Sequence, residues 1–110
     1  MIEDTIKKIT TKIRTASSIT KENKTELLNL LAALESEITR LAKAEAEHAE
    51  SIAGFIERST HEATRREKNP ELLRLSLAGL EASVKGFEAS HPQLVADINC
   101  ISTALANMGL

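Results

Sequence analysis

Apolar residues in this chain recur at steps of four and three and almost nowhere at steps of two, and that spacing confines the fold to helices. Ile2, Ile6, Ile9 and Ile13 make one stripe, and Leu27, Leu31, Leu34, Ile38 and Leu41 make a second. Residues so separated share one face of a helix, whereas a half-buried strand alternates sides at every residue. Tyr and Trp, which favour strands, are absent. The expected class is therefore all-α.

The punctuation between stripes gives the element order. A first helix runs over 1–16, and Ser17, Ser18 and Thr20 form a polar break in which Thr20 is placed to cap the next helix. The second stripe keeps its register past Leu41 through Glu45, His48, Ile52 and Phe55, beside a small-residue stripe of Ala42, Ala46, Ala49, Ala53 and Ile56. No proline intervenes before Pro70, so 21–67 reads as one rod of about 70 Å, with Gly54 its weakest point. Asn69-Pro70-Glu71 is a helix start: Asn69 as N-cap, Pro70 at the first helical position, an acid in the first turn. Leu73, Leu77, Leu80, Val84 and Phe87 form the seam of that third helix. His91-Pro92 starts the fourth, with His91 as the capping residue, Leu94, Ile98, Ile101, Leu105 and Met108 as the seam, and Gly109 placed for a left-handed C-cap. Together these predict a coiled-coil-like bundle of four helices with a long second helix. Three short helices leave part of the rod uncovered, so homo-oligomerisation, as a dimer or a higher oligomer, is expected to complete the bundle. The exposed seam would be Leu27, Leu31, Leu34, Ile38, Leu41, Ile52 and Phe55.

Phe55 and Phe87 are the only aromatic residues, which leaves no platform for stacking bases or sugars and argues against a nucleic-acid partner. The formal charge is −2, yet residues 1–25 carry six Lys or Arg against three acids, so a basic arm precedes an acidic body. No apolar run approaches the roughly 20 residues of a membrane span, and Glu3 and Asp4 are unlike a leader sequence. Cys100 has no partner in the chain, as expected of a cytoplasmic protein.

Glu45 and His48 form Glu-x-x-His, the spacing by which one helix offers two metal ligands in ferritin-like bundles. That bundle also requires carboxylates from other helices, and Glu81 and Glu88 do not fall on the seams, so no metal or other cofactor is assigned. If the alanine stripe is the buried one, Glu45 and His48 lie at its margin. His61 and Glu57 are set among Arg58, Arg65, Arg66 and Lys68, the composition of a solvated face. Cys100 has no His, Lys or Arg within one turn to activate it, and no nucleophile elbow, P-loop or dinucleotide fingerprint occurs. No catalytic residue is assigned. The first helix, with Lys7, Lys8, Lys12 and Arg14 beside its isoleucines, has the makings of a membrane-surface helix but lacks aromatic anchors; packing on the second helix is preferred.

The C-terminal quarter carries a family resemblance. Val84-Lys85-Gly86-Phe87-Glu88-Ala89-Ser90-His91-Pro92-Gln93-Leu94, followed by an apolar repeat ending Met108-Gly109-Leu110, resembles domain-of-unknown-function family 4404, a group of short helical bacterial proteins. The likeness covers 70–110 best and 21–41 more loosely; the alanine-rich middle is longer than the family pattern. The resemblance implies a small helical fold and brings no activity with it. From the residues, the expected role is that of a non-catalytic interaction, scaffold or regulatory module, whose partner is a second copy or another protein. A metal-binding bundle and a peripheral membrane binder are the alternatives.

Overall fold

The computed structural model describes residues 2–110 and, among them, five helices and no strand. They are α1 (Ile2–Thr15), α2 (Lys21–Ala44), α3 (Ala46–Thr64), α4 (Pro70–Ser83) and α5 (Pro92–Gly109). Thr20 caps α2 by accepting from the Asn23 N–H at 3.1 Å, and Asn69 caps α4 by accepting from the Leu72 N–H at 3.1 Å, so each replaces a helical partner that the first turn lacks. Pro70 and Pro92 occupy helix starts, where the missing N–H costs nothing.

The expected 21–67 rod is two helices, and the break is at Glu45 rather than near Gly54. Glu45 has φ −140° and ψ 71°, and α3 turns back from it. Direction follows from contacts at the far end: Ser18, before α2, donates to the carbonyl of Thr64, the last residue of α3, at 2.6 Å. The longest extent of the molecule is 37 Å, about half the rod length, and the radius of gyration of 12.9 Å is what about 110 residues give when packed into one body.

Energetics explain why the chain bends without glycine or proline. Glu45 still donates to the Leu41 carbonyl at 2.8 Å and accepts from the Ala49 N–H at 3.1 Å. Only the next three N–H groups lose helical partners, and Ala46, Glu47 and His48 are exposed, so water replaces what is lost. In return the fold buries Ala49, Ile52, Ala53, Ile56 and Ala63. The two isoleucines contribute about 3–6 kcal/mol and the three alanines add to it, against about 1.5–4.5 kcal/mol for three solvated hydrogen bonds.

Folding back makes α3 the central helix: it packs against every other helix, while α5 fills the space between α2 and α4. One apolar core runs through all five, from Ile9 and Ile13 through Leu34, Ile38 and Leu41 to Leu80, Leu94 and Ile98. The isoleucine face of α1 is part of this core. Among the described residues no helix is long and apolar enough to cross a membrane. The uncovered rod that motivated an oligomer is absent: Leu27, Leu31, Leu34, Ile38, Leu41 and Ile52 are all buried within the chain.

Two further expectations change. Helix α4 ends at Ser83, so Val84 and Phe87 belong to an eight-residue turn, 84–91, in which Gly86 takes φ +94°. That left-handed geometry is open to glycine at no steric cost, and the Gly86 N–H donates to the Glu88 carboxylate at 2.9 Å. Gly109, by contrast, is the last helical residue and is not left-handed. It is small because a Cβ there would lie 2.5 Å from the Leu73 side chain and 3.5 Å from the Ala63 backbone.

Candidate interaction surface

The turn after α4 and the break before α3 are far apart in sequence and adjacent in space. Phe87 lies between two histidine rings, edge-on to His48 at 5.4 Å and to His91 at 5.7 Å between centroids. Such edge-to-face pairs contribute about 0.5–1.5 kcal/mol beyond burial. Phe87 is therefore a half-buried clasp between the two segments, not the fully buried seam residue expected. His48 Nδ1 is held 3.0 Å from the Glu45 carboxylate, and His91 Nδ1 3.0 Å from the Ser90 hydroxyl. His91 stands at the N-cap position of α5 but its side chain caps nothing there, because the ring is turned toward Ser90 and Phe87.

Glu45 and His48 touch each other at the helix break, not inside a bundle seam. His48 is exposed and Glu45 half-buried. Among the described residues, no group of three or more His, Cys, Asp or Glu converges in a way that could hold a metal ion. Nothing beyond the Glu-x-x-His spacing supports the ferritin-like reading. The buried stripe is the alanine one, Ala49 and Ala53 with Ile56, which leaves Glu45 and His48 at its margin.

From this clasp a cleft of about 420 Å³ opens between α3 and α4, with His48, Ser51 and Phe55 on one wall and Gly79, Ala82 and Phe87 on the other. Phe55, expected in the seam, is 38% exposed. Its ring lies against Gly79, close enough that a Cβ there would be 2.3 Å from Cε1. The absence of a side chain at Gly79 thus makes the seat for Phe55. Leu75 and Leu72 stand one and two turns back along α4 on the same side as Gly79, at 61% and 41% exposure. Phe55, Leu72 and Leu75 form an apolar strip across the α3–α4 face, bordered by the Glu71–Arg74 ion pair, Arg58 and Lys85. Leu72 and Leu75 lie outside the seams that the spacing predicts. Their signal was present, two leucines of α4 lying off the Leu73-Leu77-Leu80 face.

The remaining residues singled out from sequence serve the scaffold. Asn69 and Pro70 start α4, Glu88 ties the Gly86 turn, Pro92 starts α5, and Leu94 is fully buried beside that turn. Gly109 closes the opposite end of the bundle against Leu73 and Ala63.

A family model described as "Domain of unknown function (DUF4404)" matches residues 27–110, and the chain belongs to that family. No curated protein and no solved structure matches it.

Proposed function

We propose that this family member is a non-catalytic protein-interaction module of the cytoplasm that associates reversibly with a second copy of itself through the α3–α4 face. The observation that carries the reading is the strip formed by Phe55, Leu72 and Leu75, where three of the four exposed large hydrophobic side chains among the described residues lie together. Clustered exposure of this kind marks contact surfaces, whereas a leucine exposed alone needs no explanation.

Its size sets the kind of contact. Three partly exposed side chains make a patch of a few hundred Å² at most, below the roughly 800 Å² per partner of a stable complex. Association is accordingly weak, concentration-dependent and suited to a scaffold or regulator rather than to an obligate assembly. A two-fold arrangement is the simplest way for one such patch to cover another. The Glu71–Arg74 pair beside it supplies both signs of charge to each copy.

Sedimentation or multi-angle light scattering across about 1–500 µM tests this. The parent mass should rise from monomer toward dimer, and Leu75→Glu should stay monomeric with an unchanged melting temperature. A parent that remains monomeric throughout, or a Leu75→Glu protein that dimerises as the parent does, would refute self-association through this face.

A further inference from the structure

A second surface lies around α3 from the apolar strip, adjoins it at Arg58 and carries a different chemistry. Helices α1 and α3 pack side by side, and three adjoining clefts of about 400, 310 and 280 Å³ run along their seam, the first two meeting at Lys12 and Glu57 and the last two at Lys12 and His61. The cations that line this groove are Lys7, Lys8, Lys12, Arg58, Arg65 and Arg66, against one acid, Glu57: a balance of +5 on a chain of net charge −2. The rest of the molecule therefore carries −7. Neither segment shows this alone, because the basic arm and the arginine cluster are separated by the whole of α2.

Part of that charge is already answered. Glu62, buried beneath the groove, pairs with Arg65 at 2.9 Å and Arg58 at 3.7 Å. Asp4 faces Lys7 and Lys8 from one turn away. The C-terminal ends of α1 and α3 both point into the last cleft and contribute about −0.5 each. Some two positive charges remain unbalanced along the groove, about one of them in the last cleft, where Lys12 from α1 meets His61, Arg65 and Arg66 from α3 beside Thr15 and Ser17. No carboxylate among the described residues pairs with Lys12 or Arg66, while Glu62 fixes the Arg65 guanidinium in place.

We propose that this groove binds a linear anion with two or more phosphoryl groups, its end seated between Lys12 and Arg66. The argument is one of elimination as well as attraction. Cations spaced along two helices, with the Thr11 and Ser17 hydroxyls between them, match several phosphates better than one carboxylate. An acidic peptide needs apolar anchors, and the last cleft, which seats the end of the anion, offers none larger than Ala16. Bases need aromatic faces, and the chain's only two, Phe55 and Phe87, lie in the α3–α4 cleft. A flat bilayer reaches the exposed Lys7, Lys8, Arg58 and Arg66, but Lys12, His61 and Arg65 are half-buried in the cleft.

The test is calorimetric titration with inorganic tripolyphosphate, with ATP and phosphatidylserine vesicles as separate arms. One tripolyphosphate should bind per chain. Raising NaCl from about 0.05 to 0.5 M should weaken it about tenfold or more, because exposed charges are screened over a few ångströms at that strength. Lys12→Ala combined with Arg66→Ala should weaken it tenfold or more with the melting temperature kept, and Lys43→Ala, on an exposed lysine outside the groove, by less than twofold. ATP should bind no tighter than tripolyphosphate. No binding at millimolar tripolyphosphate, equal losses in the groove and Lys43 variants, a large preference for ATP, or capture by vesicles alone would each overturn the proposal.

Discussion

Gly54→Ala should raise the melting temperature, although the sequence makes Gly54 look like a hinge. The residue is exposed in the interior of α3, its φ is not positive, and a Cβ there meets nothing within 4 Å. The new methyl thus costs no packing, and it removes backbone freedom from the unfolded chain, a gain of about 1 kcal/mol in a helix interior. For 110 residues the unfolding entropy is about 230 cal/mol/K, so the gain corresponds to about 4 °C. Thermal unfolding followed by helical circular dichroism and by calorimetry measures it. The same methyl at two other glycines fixes the interpretation. Gly86→Ala should lose about 1–2 kcal/mol because φ is +94°, and Gly109→Ala should lose about 1–3 kcal/mol by overpacking Leu73, whose side chain is buried. A Gly54→Ala protein no more stable than the parent, beside losses at the other two, would show that α3 bends at Gly54 and that the hairpin at Glu45 is misplaced.

Capping gives a second contrast: Asn69→Ala and Thr20→Ala should each cost about 1 kcal/mol in chemical denaturation, and His91→Ala less than about half of that, because only the first two accept a first-turn N–H. Equal losses at all three would mean that the His91 ring caps α5. Phe87→Ala should cost about 1–2 kcal/mol rather than the 3–5 of a fully buried aromatic, since Phe87 is half-buried between His48 and His91; a loss above 4 kcal/mol in urea titration would place it in the core. Glu62→Gln keeps shape but removes the charge under Arg58 and Arg65, and should cost about 1 kcal/mol, because both arginines are partly solvated. A Gln variant matching the parent at low and high salt would show that packing alone holds that side chain.

The sequence by itself determined most of the helical residues and which side of α1, α2, α4 and α5 is buried. Ile2 to Ile13, Leu27 to Leu41, Leu73 to Leu80 and Leu94 to Leu105 enter the core as their spacing requires, and Thr20, Asn69, Pro70 and Pro92 mark the starts. These features depend on neighbours within a turn, so short-range chemistry fixes them. The break at Glu45 was not legible for the opposite reason. Its residues are ordinary helix formers, and the bend is favourable only because the helix beyond it finds α1, α2, α4 and α5 to pack against. Seams read residue by residue assumed a straight rod, which is why Phe55 was expected inside and a partner was needed to cover the rest.

Both candidate surfaces are tertiary in the same sense. The apolar strip exists because Gly79 of α4 seats Phe55 of α3, and the basic groove because α1 lies beside α3. A periodic pattern specifies one face of one helix; it does not specify which other helix meets the edge of that face. That choice is made by burial summed over the whole core, where no single residue carries the decision, and so only the folded chain displays it.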